Sequence, residues 1–474
     1  MSERQFSLDL VGVEDPWIAV TVNLVALRDI VCQVLRVPAS ECGPPIRMNP
    51  KSEGQEQGYA RVYSFQLQSR SVIARVVAPV RPLFKTEAEV AAMEYVRTKT
   101  SIPVPEVLSY CSESNNPVGA EWVLMEHVPG VTMGDGWSEL NFPEKQRLAL
   151  DIIDFYDQMY RLRADRCGSI YYSVDTKDDS GLQGAANGLP EATTRGPLRW
   201  APLSSESLLL MKGLCSTSIA GRFKLGPLNE ISILDYCLAV PPPSQTPTVF
   251  TSEEYVKLVA FNGIPTTRSA YDLPTREKCL ELFQGLHRLY PTSTLFGPSA
   301  DAVNLRFSHG DLHDKNVMID PQSGRITGII DWESAAFRPL WSDLRGIGWF
   351  DEERQRFIWD AYFDPLNFET DTHAYDATLR AFFRSQMYKR NPDLFYCFLG
   401  GIELRAILQA AADRPAPQGV SKDFLDRYYE LGYWETGRRG PFPWDMSDWQ
   451  RKWYDLAVLE WDRVDALKKA QELL

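Results

Sequence analysis

The chain has 474 residues, of which 44% are apolar and 24% are charged, so it can bury a core and wholesale disorder is not expected. Its net charge of −13 argues against a broad nucleic-acid-binding surface. Eight scattered cysteines without a CxxC pair, and only five histidines, argue against a zinc framework or a secreted disulfide scaffold. We therefore expect reduced thiols in a cytoplasmic protein.

The first 130 residues predict one helix and then a small sheet. Residues 17–37 are too polar to cross a membrane, and the apolar spacing from Leu24 to Leu35 predicts an amphipathic helix. Apolar and polar residues alternate after residue 59, as in a half-buried strand. In chain order, the predicted elements after the helix are strands over 44–49, 59–68 and 72–77, a helix over 87–99 and a strand over 122–125.

The remaining chain is predicted to be mostly helical. Long apolar periodicity predicts helices over 143–165 and 275–290, and prolines interrupt a Trp-rich helical tail over 351–474. Residues 174–270 are irregular and read as an insertion that contacts a substrate. Strands followed by helices predict an α+β protein with two lobes. The predicted domains are an N-terminal helical extension, 1–40, an N-lobe, 41–127, and a helical C-lobe, 128–474.

A short segment near residue 310 carries the residues that predict a chemistry. His309-x-Asp311 is followed by Asn316, five residues after the aspartate, and Asp331 ends a later apolar run. Kinase-type phosphoryl transfer uses one carboxylate to orient and accept a hydroxyl proton. An amide oxygen and a second carboxylate hold Mg2+ on ATP, because this ion favours few, hard oxygen ligands. The spacing predicts Asp311 as the catalytic base, with Asn316 and Asp331 as magnesium ligands.

The sequence resembles the aminoglycoside phosphotransferase/choline kinase family, and within it the fungal phosphotransferase enzyme family branch, over roughly residues 40–350. The resemblance implies a bilobal protein-kinase-like fold with a small antiparallel N-lobe sheet and a larger, mainly helical C-lobe. It also implies ATP and Mg2+ as cofactors and a hydroxyl of a small molecule as acceptor, with no nucleic acid and no membrane as partner. The matching segments are 100–107, 124–130, 167–171, 309–316, 328–333 and 339–343.

The resemblance also implies roles in the N-lobe. Arg75 stands on the strand where most kinases place a lysine for the ATP phosphates, and its planar fork can bind phosphate in two directed bonds. Glu89 is predicted as its partner on the next helix, and Glu87 and Glu94 are the competing choices. The loop from Gly54 to Gly58 is a weak phosphate cradle, since it lacks a GxGxxG pattern.

Further positions complete the expected site. The inter-lobe hinge, which would bind adenine through its backbone, comprises Met125, Glu126, His127 and Val128. In the catalytic loop, spanning 307–333, His309 is predicted to be structural more than catalytic, and His313 either lines the substrate mouth or caps a turn. Glu333 is either a water-mediated partner of the metal or a surface acid. Asp343 either braces the loop from a following helix or caps that helix.

Two other functions compete with a kinase. His309, Asp311 and His313 spell H-x-D-x-H, which on a strand would place three metal ligands on one face, as in a metallohydrolase. That reading leaves Asn316 and Asp331 as coincidences. The second alternative is a catalytically weak or inactive nucleotide-binding pseudokinase that acts as a regulatory module, which the arginine at position 75 favours.

Overall fold

The computed structural model describes residues 17, 20–48, 59–173, 197–214, 217–229, 251, 254–255, 305–350, 371–395 and 397–398. The predicted helix over 275–290, most of the predicted tail, and Gly54 and Gly58 lie outside these residues.

Seven α-helices and fourteen strands are numbered here among the described residues. The helices are α1 Leu24–Leu35, α2 Phe84–Lys99, α3 Met133–Gly136, α4 Phe142–Tyr160, α5 Ser205–Leu214, α6 Leu340–Asp343 and α7 Asp371–Arg390. The strands are β1 Ile46–Arg47, β2 Ala60–Gln66, β3 Ser71–Val77, β4 Val107–Cys111, β5 Glu121–Glu126, β6 Val131–Thr132, β7 Ser169–Tyr172, β8 Leu198–Arg199, β9 Thr217–Ala220, β10 Phe223–Gly226, β11 Leu305–Ser308, β12 Val317–Ile319, β13 Ile326–Ile329 and β14 Ala336–Pro339.

The chain divides into two compact units. The first comprises residues 1–129, 168–249 and 328–336, and the second comprises residues 130–167, 250–327 and 337–474. The first unit thus contains the predicted N-lobe together with two later segments of the chain. The predicted domain limits at 40 and 127 stay predictions.

A six-stranded sheet organises the first unit, with strand order β1-β2-β3-β5-β4-β8. All of its neighbours are antiparallel except β4 and β8. Its core includes Phe65, Val76 and Trp122, which are fully buried, and Leu27 of α1 packs into the same cluster. The predicted amphipathic helix and the predicted α+β class with an antiparallel N-terminal sheet are confirmed.

The second unit has a helical core with short strands beside it. Asn141 caps α4 by accepting from the backbone N–H of Glu144, whose carboxylate in turn accepts from Asn141 N–H. Near its C-terminal end, α4 contacts α7: Arg390 of α7 donates a hydrogen bond to the carboxylate of Asp157 in α4 at 2.9 Å. β6 and β12 pair antiparallel. The predicted helix over 143–165 is present but ends at Tyr160.

Among the described residues, no helix has the length and apolar character needed to cross a membrane.

Glu121, the first residue of β5, is a buried carboxyl in the first unit, with 3% of the residue exposed. It accepts hydrogen bonds from the Leu83 N–H at 2.7 Å and from the Thr86 hydroxyl. Burial raises the pKa of Glu121 to about 7, although both hydrogen bonds act to lower it.

We expect Glu121→Gln to flatten the pH dependence of stability. The folded protein binds this proton more tightly than the unfolded chain, so its stabilising contribution is complete below pH 4.5 and is lost as the pH rises to about 7. Wild type should therefore lose about 1–3 kcal/mol across that window that the variant does not lose. Thermal midpoints of both proteins across that window provide the test, and a constant difference at every pH would contradict the assignment.

Candidate functional site

Arg75 lies in the middle of β3, opposite Val62 of β2 and Val123 of β5. Its guanidinium makes a buried ion pair with Glu89 of α2, and 6% and 1% of the two residues are exposed. The sequence predicted this pairing, and the ion pair is present. Contact of either side chain with ATP phosphates stays a prediction.

The two competing glutamates of α2 have other partners. The Glu87 carboxylate pairs with Arg199 at 2.7 Å and accepts from the Ser112 hydroxyl. The Glu94 carboxylate pairs with Arg222. Among the three acids of this helix, Glu89 is therefore the one that contacts β3.

Asp331 and Glu333 reach the same arginine. Arg75 Nη2 lies 2.8 Å from Asp331 Oδ1 and contacts the Glu333 carboxylate as well. Asp331 has a left-handed backbone (φ 68°), a conformation that Asp tolerates better than most residues. The indole N–H of Trp332, a fully buried residue, donates to Ile329 O at 2.9 Å and closes this turn. Glu333 is 5% exposed, so it is not a surface acid.

Lys85 is a member of this cluster that the sequence reasoning missed. Its Nζ lies 2.8 Å from Glu333 Oε2 and 5.1 Å from the Tyr59 ring centroid, and 1% of the residue is exposed. The available signal was its position four residues before Glu89, which places both side chains on one face of α2.

The cluster carries more negative than positive charge. Three carboxylates, those of Glu89, Asp331 and Glu333, face two cations, Arg75 and Lys85. Burial alone would lower the pKa of Arg75, but the three carboxylates raise it above its ordinary value, so the guanidinium stays charged. Burial raises the pKa of Glu89 to about 7 against the pull of Arg75. Glu89 is also the least exposed of the three acids, in keeping with burial as the cause of its raised pKa.

In the second unit, the loop that follows β11 carries the predicted catalytic residues. Gly310 has a positive φ of 87°, which glycine adopts without strain, and its N–H donates to Asp343 Oδ2 at 2.9 Å. Asp343 is the last residue of α6, and 7% of it is exposed. It therefore braces the loop and does not cap the start of that helix.

Asp311 and Asn316 are linked within this loop. The Asn316 side-chain amide donates to Asp311 O at 2.8 Å, which leaves the side-chain oxygen as the atom that can ligate a metal. Asn316 is 6% exposed, whereas 52% of the Asp311 side chain is exposed. The geometry fixes the backbone of the aspartate and presents its carboxylate to solvent.

The two histidines of the loop differ in burial. His309 is 1% exposed and its Nδ1 accepts from Asp311 N–H at 3.3 Å, as expected of a structural residue. His313 Nδ1 accepts from Lys315 N–H at 3.1 Å, and its Nε2 lies 3.8 Å from Asp311 Oδ2. β11 ends at Ser308, so the H-x-D-x-H residues lie in a loop and not on one face of a strand. The geometric premise of the metallohydrolase alternative is absent.

The predicted hinge follows the end of β5. Met125 is 8% exposed, and Glu126 N–H already donates to Glu106 O at 2.9 Å in the first unit. His127 and Val128 lie beyond the strand. A Cβ on Gly328 would come within 2.6 Å of a Val128 side-chain carbon, so this glycine permits close approach to the hinge segment. Binding of adenine by these four residues stays a prediction.

A strand cation paired with a helix glutamate, and a braced loop with Asp and Asn at kinase spacing, define the class of phosphotransferases with a protein-kinase-like fold. The model of the Phosphotransferase enzyme family matches residues 55–205 and 252–388, more than half of the chain. The chain belongs to this family, as the sequence resemblance predicted.

The chain is similar to fungal proteins and to a solved aminoglycoside phosphotransferase. A subtelomeric hrmA-associated cluster protein of Aspergillus fumigatus is 26% identical over 310 residues, which cover 60% of this chain and 57% of that protein. The mitochondrial protein "altered inheritance of mitochondria protein 9" of Meyerozyma guilliermondii is 21% identical, covering 79% of this chain and 69% of that protein. The crystal structure of aminoglycoside phosphotransferase APH(4)-Ia aligns at 14% identity with a TM-score of 0.42, covering 87% of this chain and 98% of that one. The chain thus spans less than two thirds of the first of these relatives.

Proposed function

We propose that this protein is an ATP- and Mg2+-dependent phosphotransferase that transfers the γ-phosphate of ATP to a hydroxyl of a small molecule. The observation that carries the proposal is the loop after β11, where Asp311 has an exposed carboxylate on a backbone fixed by Asn316 and Asp343. Phosphoryl transfer depends on positioning more than on basicity, and a braced loop with one exposed carboxylate supplies positioning.

Asp311 would accept a hydrogen bond from the acceptor hydroxyl and take its proton as the phosphoryl group transfers. His309 supports it through the Asp311 N–H, and His313 Nε2 lies 3.8 Å from the carboxylate. Neither histidine needs to exchange a proton with the acceptor for this role. The remaining chemistry is stabilisation of phosphate charge.

Each of the two predicted metal ligands, taken by itself, has chemistry that suits a magnesium ion. Asn316 offers a side-chain oxygen and Asp331 a carboxylate, which are the hard ligands that Mg2+ favours. The surplus carboxylate of the cluster around Arg75 also fits an added cation. When bound with ATP, the ion would neutralise phosphate charge. Arg75 would contact the phosphates through its planar fork, and the backbone at 125–128 would bind adenine.

The class of acceptor is inferred from the charge of the chain. The acidic chain, with a net charge of −13, supports a small hydroxylated acceptor over nucleic acid. We propose a cytoplasmic enzyme without a membrane partner. Residues 174–270 are proposed to contribute to the acceptor pocket.

Two measurements test this function in order. Thermal shift with ATP, in the presence and absence of Mg2+, should show stabilisation that depends on the metal, because a ligand that binds the native state alone raises its stability. An ATP-consumption screen over hydroxylated metabolites should then identify the acceptor. If ATP binds in a Mg2+-dependent way but no hydroxylated compound in the screen stimulates ATP consumption, the transfer reaction is contradicted.

A nucleotide-binding pseudokinase is the second candidate, and one observation favours it. Arg75 contacts three carboxylates, including that of the proposed metal ligand Asp331. An arginine used in this way would be less available to phosphate than a kinase lysine. Nucleotide binding that is independent of Mg2+, without turnover, would support this alternative.

We expect Asp331→Ala and Asn316→Ala to weaken Mg·ATP binding far more than metal-free ATP binding, because both side chains would bind the metal and not adenine. A loss of about 10- to 100-fold in the affinity for Mg·ATP is typical for groups at a metal site. Calorimetric titration at several Mg2+ concentrations provides the measurement. Equal losses with and without the metal would assign both residues to folding.

A further inference from the structure

A small sheet and one buried asparagine contact α2 and the backbone of the turn at Glu333, the two elements that carry partners of Arg75. β10 pairs antiparallel with both β7 and β9, and Asn229 follows β10 by three residues. Asn229 is fully buried. All of these residues belong to the first unit, together with Arg75, α2 and the turn at Asp331.

Asn229 joins this sheet to the turn that contains Glu333. Its side-chain amide donates to Glu333 O at 2.8 Å, and its backbone N–H donates to the Ser169 hydroxyl at 2.9 Å. Its side-chain oxygen is buried without a hydrogen bond to any described residue. A fully buried amide is costly unless its bonds are made, so the bond to Glu333 O is the side-chain contact that offsets the burial of Asn229.

The position of the Glu333 backbone decides where its carboxylate lies. That carboxylate contacts Arg75 and Lys85, and Asp331 lies two residues earlier in a left-handed conformation. Fixing one carbonyl of so short a turn fixes both acids. Asn229 can therefore act on the cluster without touching any charged group in it.

The same sheet also contacts α2, the helix that carries Glu89. Arg222 pairs with Glu94, and the Phe223 ring meets the Tyr95 ring edge-on with centroids 5.3 Å apart. The sheet and Asn229 therefore contact two elements that each carry a partner of Arg75. One is the turn that contains Glu333, and the other is α2, which contains Glu89.

We propose that β7, β9 and β10 with Asn229 form a brace that sets the positions of Glu333 and α2, and that Asn229 is a positioning residue of the nucleotide site. The brace itself rests on the contacts above, and its effect on nucleotide rests on the proposed function. Residues 217–229, which make the contacts with α2 and Glu333, lie within the segment 174–270. Acceptor binding by that segment stays a separate prediction.

The test compares Asn229→Ala and the shape-conserving Asn229→Asp with Tyr171→Phe in the full-length protein. Tyr171 is an equally buried residue of β7 whose hydroxyl donates to Pro227 O at 2.8 Å, so its variant removes one buried hydrogen bond without touching Glu333. Calorimetry with Mg·ATP and with metal-free ATP measures binding. Hydrogen exchange of peptides covering 84–99 and 332–335 measures the brace directly.

Both Asn229 variants should weaken Mg·ATP binding by about ten-fold, the low end for outer partners of a metal site, and should accelerate exchange in both peptides. Tyr171→Phe should stay within about two-fold of wild type in binding, and exchange in both peptides should be unchanged. Equal exchange in all variants would overturn the brace, and the same losses in Tyr171→Phe would overturn the specific positioning role of Asn229. If wild type binds no nucleotide, the proposed function fails, and the exchange result alone decides the brace.

Discussion

Asp311→Asn is expected to lower kcat on an identified acceptor by at least about 100-fold, the usual contribution of a positioned acid or base, while ATP affinity changes little. The substitution keeps the shape of the side chain and leaves the Asn316 bond in place, since that bond uses the backbone oxygen of Asp311. Only the ability to accept a proton from the acceptor hydroxyl is lost. Steady-state kinetics with both substrates varied, and ATP titration, provide the measurement.

A matched control lies in the same unit. Asp320 has a carboxylate that accepts from Gln322 N–H at 2.9 Å and from the Ser323 hydroxyl at 2.9 Å, and these bonds lower its pKa. Asp320→Asn changes the same group in a turn away from the proposed chemistry, so turnover should be close to wild type. Near wild-type turnover in Asp311→Asn would remove Asp311 from the reaction.

Arg75→Met is expected to lose most ATP affinity, at least about ten-fold, and about 3–5 kcal/mol of stability, because it leaves the buried carboxylates of Glu89 and Glu333 without their shared cation. Arg75→Lys should keep part of the affinity, since the charge remains but the planar fork is lost. Calorimetry with ATP and chemical unfolding of each variant separate the two effects. Full ATP affinity in Arg75→Met would show that the arginine has no role at the nucleotide.

The pairing itself is tested by a double-mutant cycle. Glu89→Gln should resemble a milder Arg75 defect, and the double mutant should deviate clearly from additivity because the two side chains are in contact. Arg199→Met is the control: it breaks a comparable buried pair with Glu87 in the same unit. It should lower stability and leave ATP affinity unchanged. Strict additivity in the Arg75–Glu89 cycle would contradict the proposed coupling.

Local sequence patterns predicted much of the first unit. Alternation over 59–68 and the β-branched run after Val72 correspond to β2 and β3, and the helical spacing after residue 87 corresponds to α2. Strands repeat every two residues and helices every 3.6 residues, so a short stretch of sequence is enough to show either pattern. The strands β7, β9 and β10 were not predicted, because each has only four residues, too few to show a clear alternation. The pairing of β7 with β10 also joins segments that lie far apart along the chain.

The proposed chemistry was also predicted from residues that lie close together in the sequence. Asp311, Asn316 and Asp331 lie within 21 consecutive residues that contain one loop and the short strands β12 and β13, so the sequence alone determined which residue types belong to the proposed reaction. The arginine at position 75 could be placed on its strand for the same reason. Family membership then followed from matching segments.

Tertiary structure alone decided how the charged groups are shared. Helical spacing offered Glu87, Glu89 and Glu94 on one helix, and only the packing of α2 assigned Glu89 to Arg75. The contacts of Glu333 with Lys85 and with Asn229 join residues more than 100 positions apart, and no local period encodes such a distance. Burial, and with it the raised pKa of Glu89, arises from the same packing, because desolvation depends on which groups surround a carboxyl in space.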